Sequence, residues 1–255
     1  MFTIDLDSKT IVHNCGLRYC LNGLAIVISP HQDDESIGMA GAVSLLLKKG
    51  FTVYFVFTTI ESTEQALLRK LEAKKAIKEF GGNVNNIIFL DLVDGMLKLH
   101  TLDFSKTVGH LKTTIQKIEL KNKVIIVEEN GKEILIDNKH TLILTTSRHD
   151  AHRDHEETFN MIKNGTRKKI IMEFPVVNHM SSAFEPNCYI EISDEIYEIK
   201  KNALSKYVGE EIKGRIMWED IEQFMLDNGK LINATRAESC FISWYGKLIP
   251  SQKNS

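Results

Sequence analysis

Apolar residues along the chain alternate between short dense runs and longer stretches with helical spacing. Leu24–Ser29 reads as a buried strand, residues 36–49 as a helix closed by Gly50, and Thr52–Phe57 as the next strand, which makes a βαβ unit. A second helix, about 64–80, carries Ala73, Ala76, Ile77 and Phe80 on one face and stops at Gly81-Gly82. Ile87–Leu90 is a third strand, followed by a loop through Asp94-Gly95 and a helix from about 103 to 119. Val124–Val127 and Glu133–Ile136 flank Glu129-Asn130-Gly131-Lys132, where Asn-Gly supplies the positive φ angles of a hairpin turn. Thr141–Thr146 returns to the sheet, a helix from about 155 to 165 ends near Asn164-Gly165, and Ile170–Phe174 is another strand. Beyond Pro175 the pattern loosens through Pro186, then gives a short strand at Cys188–Ile192 and helices near 194–207 and 217–228.

This alternation predicts an α/β fold with a mainly parallel sheet and helices on both faces, plus an added β-hairpin and a C-terminal helical segment. No linker or composition shift divides residues 1–255, so the expectation is a single domain with its core at about 22–192 and the C-terminal segment at about 193–246. Both termini, including Ser251–Ser255, are expected to fray.

Lys and Arg total 32 against 34 Asp and Glu, a net charge of -2, which gives no general footprint for nucleic acid or an anionic membrane. No apolar stretch reaches the roughly 20 residues of a spanning helix, and Met1–Asp7 lacks the basic and apolar regions of a signal peptide, so a cytoplasmic protein is expected. Cys15, Cys20, Cys188 and Cys240 are too scattered for a disulfide framework. Cys15 and Cys20 have no partner pair to complete a structural zinc site, and reduced thiols are the expectation.

Two polar clusters change the picture. Pro30-His31-Gln32-Asp33-Asp34-Glu35 follows the first strand, and His149-Asp150-Ala151-His152-Arg153-Asp154-His155 follows the strand at 141–146. In an open parallel sheet, ligands bind beyond the carboxyl ends of the strands, where both clusters fall. A catalytic zinc takes three protein ligands and leaves a position open, and His31, Asp34 and His155 supply such a set. Fe(II) suits the same two imidazoles and one carboxylate, so ligand type leaves the metal open. Asp33, beside a ligand, is placed to act as general base toward metal-bound water, and His152 to stabilise an oxyanion or protonate a leaving amine. Asp154 would hold one nitrogen of His152 and fix its tautomer.

Each residue alone has a plainer reading. His31 would be an ordinary loop histidine, and Asp33-Asp34 would cap the helix starting near Ser36. Two such clusters at two strand ends favour the metal site. Arg69 and Glu72 extend the buried stripe of their helix toward the same edge, where they would reach a substrate or merely pair with each other. Asp94 would bind a sugar hydroxyl or shape a turn before Gly95.

These motifs resemble the PIG-L/LmbE-like family of metal-dependent N-acetylglucosaminide deacetylases, whose signature is a strand followed by (A/P)HPDDE and, after a later strand, HPDH. Here they read PHQDDE and HRDH. The likeness runs through the helix of Arg69, Glu72 and Ala76 and the Asp94-Gly95 loop. It is fainter in Glu185-Pro186-Asn187, Lys201 and Arg236-Ala237-Glu238. The resemblance implies a Rossmann-like fold with an appended C-terminal segment, zinc on His31, Asp34 and His155, Asp33 as general base, His152 as electrophile or acid, and substrate contacts by Arg69 and Asp94. Gln32 and Arg153 replace the prolines of the two motifs, and Thr58-Thr59-Ile60-Glu61-Ser62 stands where the family often has Thr-x-Gly. The hairpin at about 124–136 is not expected in compact members.

The expectation is a zinc-dependent amidohydrolase that removes acetyl from an N-acetylglucosamine-type sugar in a glycoside, nucleotide sugar or glycoconjugate, with Fe2+ as an alternative metal in the cell. Its partner is a small amino-sugar substrate, without nucleic acid or a membrane span, and homo-oligomerisation is left open. A catalytically silent metal- and sugar-binding protein of the same fold is the alternative, and Asp33 beside the ligands argues against it. An Fe(II) oxygenase would differ by consuming oxygen. A dinucleotide-binding module is disfavoured because Gly38-Met39-Ala40-Gly41 lacks the G-x-G-x-x-G spacing.

Overall fold

The computed structural model describes residues 2–7, 10–13, 18–60, 63–93, 104–122, 125–127, 133–135, 140–166, 169–209, 214 and 217–245. In chain order the strands are β1 (Phe2–Asp5), β2 (Thr10–His13), β3 (Arg18–Ser29), β4 (Thr52–Ile60), β5 (Ile87–Val93), β6 (Ile125–Val127), β7 (Glu133–Leu135), β8 (His140–Thr146), β9 (Lys169–Phe174), β10 (Cys188–Glu191) and β11 (Ala237–Tyr245). The helices are α1 (Asp34–Lys48), α2 (Thr63–Glu79), α3 (Phe104–Lys121), α4 (Arg153–Gly165), α5 (Asp194–Leu204) and α6 (Trp218–Leu231). Among the described residues no helix is long and apolar enough to cross a membrane.

The centre is a parallel array in the order β5-β4-β3-β8-β9, which β11 and β10 extend by antiparallel pairing at the β9 edge. Period-two alternation sorts the central strands between two cores. Ala25 and Val27 pack with Phe55, Phe57, Leu144 and Met172 under α1, α2, α5 and α6. Leu24, Ile26 and Ile28 pack with Val56, Ile143 and Ile171 under α3 and α4. Each fully buried aliphatic or aromatic side chain is worth about 1.5–3 kcal/mol, so strands buried on both faces need the near-continuous apolar runs seen at Leu24–Ile28.

Registers Ser29↔Phe57 and Thr146↔Phe174 bring the carboxyl ends of β3, β4, β8 and β9 to one edge. β4 and β8 flank β3 on opposite sides, and α1 and α4 lie on opposite faces, so the gap between β3 and β8 is the sheet's switch point. Both polar clusters open into it.

Several features depart from the expected layout. β3 begins at Arg18, and its pairing with β8 shifts register between Leu21 and Ala25, where Gly23 takes φ 78 as an irregular strand requires. The N-terminus, expected to fray, forms the hairpin β1–β2, which pairs antiparallel with the start of β3. The C-terminal segment carries the expected helices, α5 and α6, and in addition β11, the strand that joins β9 to β10. β6 and β7 form a separate antiparallel ribbon, as the hairpin signal indicated, with its turn outside the described residues. Cys188 and Cys240, opposite each other in the β10–β11 pair, are free buried thiols. Cys15 lies outside the described residues.

Candidate metal centre

The loop after β3 is bound to the end of β4. Thr59 donates its amide (3.0 Å) and its hydroxyl (2.7 Å) to the Pro30 carbonyl, and the buried Gln32 amide donates back to the Thr59 carbonyl (2.7 Å). These bonds occupy the positions where the family motif has proline and Thr-x-Gly, and they hold the loop by hydrogen bonding. On the other side of the gap, Arg148 binds Glu173 with both its Nε (2.8 Å) and its backbone amide (3.2 Å), and its guanidinium lies 4.1 Å from the Phe159 ring centroid. That clamp fixes the start of the His149–His155 segment.

Asp33 is the N-cap of α1, but its side chain makes no capping bond. Only its carbonyl serves the helix, accepting from Ser36 and Ile37. The neighbouring Asp34 carboxylate turns into the gap, where Oδ2 accepts from the His31 amide (2.9 Å) and lies 3.2 Å from His31 Nδ1, while Oδ1 lies 3.4 Å from His155 Nε2. Nitrogens of His31, His152 and His155 all lie within 4.8 Å of one another. The structure therefore brings His31, Asp34, His152 and His155 together from two distant segments.

His155 is wholly buried, and its Nδ1 bonds the Asp150 carboxylate (2.8 Å). Its Nε2 has no hydrogen-bond partner and faces Asp34. A buried polar atom without a partner is costly, and an imidazole nitrogen opposite a carboxylate, steadied behind by a second carboxylate, is the donor set that a divalent ion satisfies. The residues present thus fit a metal. Burial opposes the charged form of His155, but the nearby Asp34 and the bond to Asp150 outweigh it and raise its pKa to about 9. Burial likewise raises the Asp34 pKa, but His155 and His31 more than compensate and hold it well below the usual carboxylate range.

His152 is the N-cap of α4, and its Nδ1 accepts from the Asp154 amide (3.3 Å). A backbone N–H is always the donor, so the ring proton sits on Nε2. Burial, then the charges of His31 and His155, lower the His152 pKa to about 4 and keep the ring neutral. It is Asp154's amide that meets His152; the Asp154 carboxylate lies 3.6 Å from His31 Nε2.

Arg69 is buried, 3.2 Å from Asp33 Oδ2 and 3.5 Å from Glu72 Oε2, with its guanidinium 5.4 Å from the Tyr207 ring centroid. It reaches the general-base candidate as well as its helix neighbour. Asp94 lies outside the described residues.

Three residues here were not singled out from the sequence. Asp150 orients His155, and its place inside the second cluster was the available signal. His179, in a short 3-10 turn after β9, has its ring 5.1 Å from that of His152 and 5.4 Å from that of His155. Its position beyond a strand's carboxyl end was a usable signal. Tyr207 donates to Glu35 (2.5 Å), and nothing in the sequence foretold that pairing.

Residues 26–165, more than half of the chain, match the family described as PIG-L, GlcNAc-PI de-N-acetylase. The chain belongs to the PIG-L family. No curated protein sequence matches it. Among solved structures, this PIG-L member is similar to the N,N'-diacetylchitobiose deacetylase from Pyrococcus horikoshii, at 17% identity and a TM-score of 0.61 over 87% of this chain and 84% of that one. It also resembles the zinc-inhibited form of the teicoplanin deacetylase Orf2, at 14% identity and a TM-score of 0.65 over 86% of this chain and 97% of that one. A third likeness is to GalB, the 4-carboxy-2-hydroxymuconate hydratase from Pseudomonas putida, at 14% identity and a TM-score of 0.66 over 90% and 99%. At these identities the likeness is one of fold. A fold shared by deacetylases and a hydratase leaves the reaction to be argued from the site.

Proposed function

We propose that this PIG-L member is a metal-dependent amidohydrolase that removes the N-acetyl group from an N-acetylglucosamine-type sugar in a glycoside, nucleotide sugar or glycoconjugate. The observation that carries this reading is the buried Nε2 of His155, which makes no hydrogen bond and faces Asp34 Oδ1 at 3.4 Å. His31, Asp34 and His155 would hold the ion, zinc or Fe2+. His152 is the poorer ligand because Nδ1 is occupied and Nε2 carries a proton. A divalent ion held there polarises a carbonyl and acidifies water to a pKa of about 7.

The chain's own groups supply the remaining steps. Asp33 takes the proton of the attacking water, and Arg69, 3.2 Å away, holds that carboxylate in place. The Nε2–H of His152 donates to the oxygen that gains charge as the amide carbon becomes tetrahedral. As the C–N bond breaks, the proton on Asp33 passes to the departing amine, which leaves acetate and the free amino sugar. Arg69 and Asp94 are proposed to contact the sugar.

The test is release of free amine across N-acetylglucosaminides that differ in aglycone, using metal-stripped and zinc-restored protein. Restored protein should turn over at least one, and stripped protein none. Asp33→Ala should lower kcat by about 10²–10⁴ with metal retained, whereas His155→Ala should lose the metal. A fully active Asp33→Ala variant would reject the mechanism. Tight metal binding without hydrolysis of any acetamido sugar would favour the silent alternative.

A further inference from the structure

A cavity of about 430 Å³ lies on the α1 face of the sheet, at the end of that helix remote from the metal centre. Its floor is Ala42 and Leu46 of α1, Leu142 of β8 and Met172 of β9, all buried. α1 begins with Asp34, and at about 1.5 Å per residue Leu45, which also lines the cavity, lies roughly 16 Å farther along the axis. Leu142 pairs with Ala25 and Ile170, at the opposite end of β8 from Thr146. The cavity is therefore separate from the metal centre.

Of its eleven lining residues nine are aliphatic or methionine, and only Tyr189 and Glu191, on the edge strand β10, carry polar side chains. Enclosed water needs about two to four polar partners, which the floor does not offer, and an apolar cavity of about 150 Å³ stays dry and takes up benzene. At about three times that volume, and within the roughly 300–1,000 Å³ of small-molecule sites, this cavity suits an apolar body larger than a single ring.

Tyr189 and Glu191 are two residues apart on one strand, so their side chains share a face. Glu191 is exposed, and among the described residues its carboxylate forms no ion pair and the Tyr189 hydroxyl no hydrogen bond. A carboxylate and an aromatic ring on one strand face are the groups that recognise a cation. No basic side chain lines the cavity to compete, and Lys48 and Lys49 at the end of α1 are paired with Glu195 and Asp7. We infer that the cavity is a second ligand site, for a small amphipathic amine whose apolar body fills the floor between α1, β8 and β9 and whose cation meets Glu191 and Tyr189.

Two other occupants fit less well. A fatty acid would bring its own carboxylate to Glu191 with no cation between them. A macromolecular partner needs about 800 Å² of surface on each side, whereas a recess of this size takes a small molecule. The site stands apart from the deacetylase reading, since none of its residues belongs to the metal centre.

The experiment is isothermal titration calorimetry of the full chain, zinc-loaded and metal-stripped, with n-decylamine, n-decanol and n-decanoate at neutral pH, each below its micelle concentration. Decylamine should bind saturably, at least about tenfold more tightly than decanoate, and equally with and without zinc. Glu191→Gln, at an exposed position, should bring decylamine to within about fivefold of decanol, the remainder coming from the Tyr189 ring. Leu45→Trp, which fills the cavity from α1, should abolish binding of all three. No saturable binding, decanoate bound as tightly as decylamine, Glu191→Gln without effect, decylamine displaced by zinc, or a folded Leu45→Trp protein that binds like the parent would each overturn the proposal. If Leu45→Trp does not fold, the comparison of Glu191→Gln with the parent decides.

Discussion

At the scale of single residues, Glu35 is the group in the first motif that performs no step. It is completely buried, and its Oε1 accepts from Ser36 Oγ (2.7 Å) and Tyr207 Oη (2.5 Å). Burial, partly offset by those two bonds, raises its pKa from 4.5 to about 7. The folded state therefore holds this proton more tightly than the unfolded chain does. Stability from it is fully present below about pH 4.5 and is lost as pH rises through 7. Glu35→Gln keeps an acceptor for Tyr207 and removes the titration. Measured by urea unfolding of metal-stripped protein, its advantage over the parent should grow between pH 5 and pH 8 by up to about 3 kcal/mol. A difference that is flat with pH would show that Glu35 does not titrate on folding. Residues of this kind mark how far the site is legible. His31, Asp34, His152 and His155 are readable because each sits in a compact motif directly after a strand. Tyr207 is not, because only chain folding brings it across 172 residues to Glu35, and His179 offers only its place beyond the end of β9, outside any compact motif.

Among elements, the strand-end loops show how this sequence meets a structural need by other means. Where the resemblance leads one to expect proline, Gln32 is 1% exposed and ties the β3 loop to β4 through the Thr59 carbonyl. Gln32→Ala should cost about 1–3 kcal/mol, since it leaves that buried carbonyl without its donor. It should also weaken metal binding, because His31 and Asp34 flank the freed position. Denaturant unfolding and a metal-competition titration together check this, and unchanged values in both would show that the latch is idle. The central strands were legible because burial on both faces forces continuous apolar runs. β1, β2 and β11 were not. The first two are four residues each, and β11 carries Glu238 and Ser239 in its interior, a polar pair that argues against a buried strand until their partners are known.

The partner of Glu238 is a cation, and the pair they form ties together elements that are far apart in the chain. Lys200 on α5 and Glu238 on β11 are both buried and lie 2.7 Å apart. Lys200 Nζ donates to the Ile37 carbonyl (2.7 Å), and the two Glu238 oxygens accept from the Gly41 and Ala42 amides (2.8 Å each). The ion pair thus grips the middle of α1, the helix whose first turn carries Asp34. Gly41 is required there, since a Cβ would come within 2.4 Å of Ile192 and 2.9 Å of the Glu238 carboxyl. Desolvating both charges is expensive, so the pair adds little net stability, but removing one partner strands the other. Lys200→Met should therefore destabilise the fold by about 3–5 kcal/mol. Lys200→Met/Glu238→Gln should recover part of that loss, with a coupling of about 1–3 kcal/mol in a double-mutant cycle. Because α1 begins at the metal centre, Lys200→Met should lower metal affinity as well, although Lys200 touches none of the candidate ligands. Strictly additive single variants, or a Lys200→Met protein as stable as the parent, would show that the C-terminal segment merely covers the sheet and does not brace the site.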